Sequence, residues 1–275
     1  MVEFDPDELE RFSKSIAQII EIPDAPDELI AALAAILPFD AALCVVNHRD
    51  HAPTYLTDTY TAGSAKSAVQ LYVSRTYVLN PVHNALQNGL KPGVYLMSDL
   101  APDNWNRALL TQGADVLQED GEEIGYRTPG WPSGLQELTV LVELPDGHIG
   151  EVSIARAAQV GGFSSHDIAR LQPFQPLIGA AFRAIWCRHM QNTPIPAEPD
   201  RRTLTPIPFG EGLLTPREIE VVQLILKGHS SLSISLTLDI AIPTVKTHRK
   251  NAYAKLAISS QSQLLQAFLN WKETA

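Results

Sequence analysis

Residues 213–268 read LLTPREIEVVQLILKGHSSLSISLTLDIAIPTVKTHRKNAYAKLAISSQSQLLQAF. Four helices can be bounded in this stretch from their ends alone. Thr215-Pro216-Arg217-Glu218 has the form of a capping box with proline at the first helical position. Gly228 suits the left-handed stop after Lys227. Ser230 caps a short second helix ending near Leu238, and Asp239-Ile240-Ala241-Ile242 makes a turn. Pro243 is tolerated only in the first turn of a third helix, which then runs to Leu256. Ser259 or Ser260 opens a fourth helix through Trp271. A short helix, a brief turn and a basic helix form the helix-turn-helix arrangement.

The third helix divides by face. Val245, His248, Ala252 and Leu256 fall together and are expected to pack inward. Lys246, Thr247, Arg249, Lys250 and Asn251 lie elsewhere on the cylinder. Lys246 and Lys250 are four apart, in the half that enters a major groove in this motif. No acidic residue occurs between Thr244 and Leu256.

These landmarks resemble the LuxR-type DNA-binding domain. The matching positions are Leu214 to Glu218, Lys227-Gly228, Ser230, Ile234, Thr244-Val245-Lys246, His248, Lys255-Leu256 and Ser259-Ser260. The resemblance implies base-edge contacts from Lys246, Thr247 and Lys250. It implies phosphate contacts from Ser230, Thr244, Arg249 and Asn251. Four positions depart from the family's usual residues: Ser233, Ser235, Asp239 (usually Gly) and Ala241 (usually Ser). Ala241 lacks a capping hydroxyl, and Asp239 must accept a turn suited to glycine. In the fourth helix, Leu264, Phe268 and Trp271 are spaced i, i+4, i+7. They serve either core packing against the first helix or the dimer contact that the resemblance implies.

Charge separates this segment from the rest. The chain has 275 residues and a formal net charge of −10. Residues 213–275 carry seven Lys/Arg and four Asp/Glu, or +3, while residues 1–212 carry 14 and 27, or −13. An acidic body with a small basic end suggests two jobs. With 45% hydrophobic and 19% charged residues, a real core is expected. The acidic N-terminus is unlike a secretory signal, and no apolar run has transmembrane length. Two distant cysteines, Cys44 and Cys187, fit buried thiols in a reducing cytoplasm.

Within the body, Leu9, Phe12, Ile16 and Ile19 mark one amphipathic helix, and Ile30, Leu33 and Leu37 a second. Ala41 to Asn47 reads as a buried strand and Thr54 to Tyr60 as its partner. A helix is expected over residues 65–77, stopped by Asn80-Pro81, and another from Trp105 to Leu117. Leu138, Val140, Val142 and Leu144 alternate, a Pro145-Asp146-Gly147-His148 turn follows, and Val152 and Ile154 alternate again. That is a hairpin. A helix capped by Ser164 or Ser165 runs towards Trp186, bent or broken by Pro173 and Pro176. Residues 191–212, with five prolines, read as a stiff linker. The expected fold is α+β: an α/β/α sandwich with an antiparallel sheet over residues 1–190, and an all-α four-helix domain over 213–275.

The order of elements in residues 1–190 resembles the ligand-binding domain of quorum-sensing LuxR-type receptors, which is related to GAF and PAS folds. Tyr77-Val78-Leu79-Asn80-Pro81-Val82 is similar to a segment where those receptors place Asp-Pro-Val. Asn80 stands in for the Asp that accepts from the lactone amide, and Met97 for a pocket tryptophan. Both replacements argue against an acyl-homoserine lactone, since Asn donates as well as accepts. The candidate ligand contacts are Tyr72, Tyr77, Asn80, Met97, Trp105 and Trp131.

His48 and His51, beside Asp50, read as a solvated loop, and no metal is expected. No nucleophile elbow, phosphate loop or paired-His motif appears in the sequence, so no enzyme and no cofactor are expected. The chain reads as a cytoplasmic one-component transcription regulator. It would bind double-stranded DNA as a homodimer under a small-molecule effector, with RNA polymerase as a further candidate partner. The alternative is an N-terminal interaction module that controls the head through a protein partner.

Overall fold

The computed structural model describes residues 4–60, 64–101, 116–119, 122–126, 134–193 and 209–274. The chain opens with two helices, α1 (Pro6–Glu21) and α2 (Pro26–Ala34). Asp5 caps α1, its carboxylate accepting from the Asp7 N–H at 2.9 Å, with Pro6 in the first turn. Strands β1 (Ala41–Asn47) and β2 (Thr54–Asp58) follow. Next come α3 (Ser64–Ser74), a 3₁₀ turn Thr76–Leu79, α4 (Pro81–Gln87), β3 (Gly93–Leu96) and the one-turn α5 (Met97–Leu100).

A small antiparallel pair, β4 (Val116–Glu119) and β5 (Glu122–Tyr126), precedes the long hairpin of β6 (Leu135–Glu143) and β7 (Ile149–Ala157). The helix expected from Trp105 to Leu117 is corrected at its end, because Val116 and Leu117 belong to β4; its remainder lies outside the described residues. The helix towards Trp186 breaks where the prolines require it. It forms α6 (Ser165–Leu171), a 3₁₀ turn Gln172–Phe174 and α7 (Gln175–Asn192). Ser164 and Asp167 form its capping box.

Five strands make one antiparallel sheet in the order β2-β1-β7-β6-β3. Strand alternation gives the sheet two unlike faces. Leu138, Val140 and Val142 of β6, Val152 and Ile154 of β7, and Cys44 and Val46 of β1 join one apolar cluster. Phe12, Ile16 and Ile19 of α1, Leu29 and Leu33 of α2, and Ile178, Phe182 and Ile185 of α7 complete it. Gly150 lets α7 close on the sheet, because a Cβ there would lie 2.7 Å from Phe182 Cε1. The opposite face carries Glu137, Thr139, Glu151, Ser153 and Asn47, all buried. Further along it, Leu141 and Ile149 pack with Val82 and Leu86 of α4 and Met97 of α5, so these helices form the second layer.

Two thiol and imidazole expectations are corrected. Cys44 is buried, but Cys187 is exposed on α7. His48 is not solvated: it is buried and its ring nitrogens meet His148 Nδ1 at 3.1 Å and Thr54 Oγ1 at 2.8 Å. Burial, then the like charges of His51 and His148, push its pKa down to about 4.

The C-terminal helices are α8 (Pro216–Leu226), α9 (Ser231–Leu238), α10 (Ile242–Lys255) and α11 (Gln261–Thr274). They share a second core of Val221, Val222, Ile225, Leu226, Ile234, Val245, Ala252, Leu264 and Phe268, joined by Phe209. Leu264 and Phe268 are therefore core residues, with Trp271 packed beside them. Leu79, from the 3₁₀ turn of the N-terminal part, is buried in this same cluster. No helix among the described residues is long and apolar enough to cross a membrane.

Candidate nucleic-acid interface and buried polar face

The head is built by its helix ends. Thr215 and Glu218 form the capping box: the Thr215 N–H donates to Glu218 Oε2 at 2.8 Å and Thr215 Oγ1 accepts from the Glu218 N–H at 3.3 Å. Glu218 Oε2 also accepts from Lys255 Nζ at 2.6 Å, so the buried carboxylate ties the start of α8 to the last turn of α10. That Lys255 bond, followed by the Thr215 N–H, holds the Glu218 carboxyl below its usual range. Gly228, at φ +88°, ends α8 with the Gly228 N–H on Ile225 O and the His229 N–H on Leu224 O, a Schellman motif.

The turn between α9 and α10 shows what the sequence departures do. Asp239 adopts the left-handed conformation (φ 51°, ψ 52°) that glycine occupies without strain. Ala241 is the N-cap of α10 and supplies no side-chain bond. Arg217 holds the turn from the side, its Nη2 donating to Leu238 O at 2.7 Å.

On α10, Val245 and Ala252 are fully buried, His248 is half-buried and Leu256 packs against the core from its edge. Thr244, Lys246, Thr247, Lys250 and Asn251 are exposed, and Arg249 is half-exposed. The structure thus brings all the expected DNA-contacting residues of this helix onto its outer surface. The Thr247 hydroxyl donates back to Pro243 O at 2.9 Å. Ser230 sits at the N-cap of α9, where its oxygen accepts from the Ser233 N–H at 3.1 Å. Lys255, by contrast, is held on Glu218.

The candidate ligand residues disperse over the second layer of the N-terminal part. Tyr72 on α3 is buried, and burial with the Glu151 and Glu137 charges pushes its phenol well above its usual pKa. Tyr77 is buried and stands edge-on to His83, with ring centroids 5.0 Å apart. Asn80 is buried; its Oδ1 accepts from the Val82 N–H at 2.7 Å and so caps α4. Met97 lies in the apolar cluster with Val82 and Leu141. Trp105 and Trp131 lie outside the described residues.

The sequence reading missed the buried carboxyls. Glu137 is pushed up to about 8 by burial and by Glu151, with Ser153 opposing. Glu151 is also raised by burial, though Asn47 (2.6 Å), Ser153 (2.8 Å) and Thr139 (3.5 Å) all donate to it. Glu137, Thr139, Glu151 and Ser153 alternate with the apolar residues of β6 and β7 and are buried. They are covered by the α3–α5 layer, a tertiary fact no periodicity announces. Among the described residues, no group of three or more His, Cys, Asp or Glu side chains is arranged to hold a metal.

A capped four-helix head with an outward basic second helix of a helix-turn-helix defines the class: a DNA-binding regulator. The family model for bacterial regulatory proteins of the luxR family matches residues 212–268. The HTH-type transcriptional regulator of the exeN 3′ region of Aeromonas salmonicida is 30% identical over 206 residues, covering 71% of this chain and 96% of that protein. The transcriptional regulatory protein MctR of Rhizobium johnstonii is 41% identical over 61 residues, covering 22% of this chain and 28% of its own length. Among solved structures, Escherichia coli SdiA aligns over 92% of this chain and 94% of its own, at 17% identity and a TM-score of 0.40. The LBD domain of VqsR from Pseudomonas aeruginosa covers 64% of this chain and 95% of its own, at 15% identity and 0.46. The chain belongs to the LuxR family of bacterial transcription regulators.

Proposed function

We propose that this regulator reads double-stranded DNA as a homodimer through α10, under the control of a small molecule held in its N-terminal part. The division is 1–190 for sensing and dimerisation, 191–212 for the linker and 213–275 for the head. Lys246, Thr247 and Lys250 meet base edges, while Ser230, Thr244, Arg249 and Asn251 hold phosphates. The observation that carries the DNA reading is the exposure of Lys246 and Lys250 on a helix whose opposite side, Val245 and Ala252, is fixed in the core. The chain's −10 charge does not oppose it, because phosphate contacts depend on local cations and fall with salt.

The effector reading is supported by a physical connection. The α3–α4 segment carries Tyr72, Tyr77 and Asn80, and its Leu79 is buried in the head's core. A molecule that moves this segment changes the seat of the head, and it acts only as far as it prefers one arrangement. The cytoplasm is the matching compartment, and RNA polymerase is the expected partner of a bound dimer.

The test is fluorescence anisotropy of the full chain on duplexes selected from a random pool, with and without an effector found by thermal shift. Selective, steeply salt-dependent binding that the effector changes supports the reading. Selective binding with no effector and a partner-dependent response would transfer control to an interaction module.

A further inference from the structure

The covered face of the sheet has a chemistry of its own. Glu137 and Glu151 stand on neighbouring antiparallel strands, pointing into the layer formed by α3–α5, and are only 9% and 2% exposed. Every described group acting on either carboxyl is neutral or acidic: Asn47, Thr139 and Ser153 donate, and the two carboxyls repel. Buried carboxyls are normally matched by a cation. Tyr72 lies in the field of both carboxyls, and half-buried Tyr60 in that of Glu137. Aromatic faces beside carboxylates suit an ammonium group.

A second observation is independent of the acids. Asn47 is 5% exposed; its Nδ2 donates to Glu151, and its Oδ1 is buried without a hydrogen-bond partner. An acceptor left unmet in a buried place is costly. It calls for a donor, beside a carboxylate that also accepts. A cavity of about 270 Å³ reaches Asn47, the lining residue that joins it to Glu151; Leu86, Leu90 and Ile149 line it together with the charged side chains Arg49, Lys91 and Glu143. At roughly 30 Å³ per water, it has room for a small organic molecule.

We propose that the effector is a small primary amine whose ammonium N–H groups donate to Asn47 Oδ1 and the Glu151 carboxylate, with Tyr72 beside it. This rests on the effector reading above and gives that effector a chemical class. The amine's apolar remainder lies along Leu86, Leu90 and Ile149. An acyl lactone brings one amide N–H and no charge, and so leaves the Glu151 carboxylate without its cation.

Isothermal titration of the full chain tests this, with tyramine, butylamine and agmatine as probes. Their N-acetyl counterparts and N-octanoyl homoserine lactone serve as neutral comparators. At least one amine binds saturably, and acetylating its amine weakens it tenfold or more. Glu151→Gln weakens it tenfold or more, and Asn47→Asp tightens it. Should Glu151→Gln lose its cooperative melt, Asn47→Asp and Asn47→Leu decide, the first tightening and the second weakening binding. Equal affinity for an amine and its acetylated form overturns the proposal, as does indifference to Glu151→Gln or Asn47→Leu, or no amine binding. If the lactone binds saturably where no amine does, the amine class falls and the effector reading stands. If no probe of either kind binds, the amine class falls and the effector reading loses its support as well.

Discussion

Ala241→Ser restores a hydroxyl at the N-cap of α10, the helix proposed to enter DNA. Serine exceeds alanine at an N-cap by about 0.5–2 kcal/mol. The structure narrows that range. The cap oxygen normally accepts from the second or third helical residue, but the second here is Pro243, which has no N–H. Thr244 is the remaining donor, and its N–H already bonds to Ala241 O at 2.9 Å. The site is also exposed, so water competes. The gain is therefore about 0.5–1 kcal/mol, from the lower half of the range. Amide exchange of the full chain reads it: α10 amides should exchange roughly two- to fivefold more slowly, with the sheet of the N-terminal part unchanged. Unchanged or faster exchange in α10 would refute the reasoning, and would mean that the turn rather than the cap limits the helix start.

Three further outcomes follow from the packing. Glu218→Ala removes a capping-box partner and the acceptor for Lys255, and should cost the head about 2 kcal/mol, the half-exposed lysine contributing the smaller share. A double-mutant cycle with Lys255→Ala should show coupling of about 1 kcal/mol, and strict additivity would contradict the tie. Because the Glu218 carboxyl is held low, that stability is present at neutral pH and lost as pH falls through the carboxylate range. Glu137 has the opposite sign. Its pKa of about 8 means the folded state keeps a proton that the unfolded chain releases near 4.5, so its contribution is full at acid pH and lost as pH rises towards 8. Glu137→Gln should therefore gain on the parent between pH 5 and 8, by a few kcal/mol, in urea titrations; parallel stability curves would contradict the buried neutral acid. Gly150→Ala places a methyl 2.7 Å from the Phe182 ring and 2.8 Å from Val142 Cγ2, and should destabilise the N-terminal part by about 1–3 kcal/mol. A change under 0.5 kcal/mol would show that α7 can shift.

The head was legible because local signals agree there. Thr215 to Glu218 capped α8, Gly228 ended it, and the Val245–Ala252 spacing picked the buried side of α10. The five-strand sheet was half legible: the β6–β7 alternation gave the hairpin, but nothing local says that β1 pairs with β7 across a hundred residues. The sensor chemistry was the hardest part. Tyr72 was found as an aromatic on a helix, while Asn47, Glu137 and Glu151 were hidden. Alternation marks a strand but does not say whether its polar face is wet, and only the long-range placement of α3–α5 makes this one dry. His48 failed for the same reason, since its partner His148 lies 100 residues away. Asn80, marked as a ligand reader, turns its oxygen onto the start of α4.

The central claim, that α10 reads sequence with Lys250 at a base edge, is tested most directly by one measurement. Full-length protein selects its site from random duplexes, and Lys250→Ala is then titrated against that site and its single-base variants at several salt concentrations. The account predicts a loss of about 1–3 kcal/mol on the selected site, relaxed discrimination at one base position and little change on unrelated duplexes. An equal loss on every sequence, with the salt slope reduced by about one, would make Lys250 a phosphate contact and contradict the assignment.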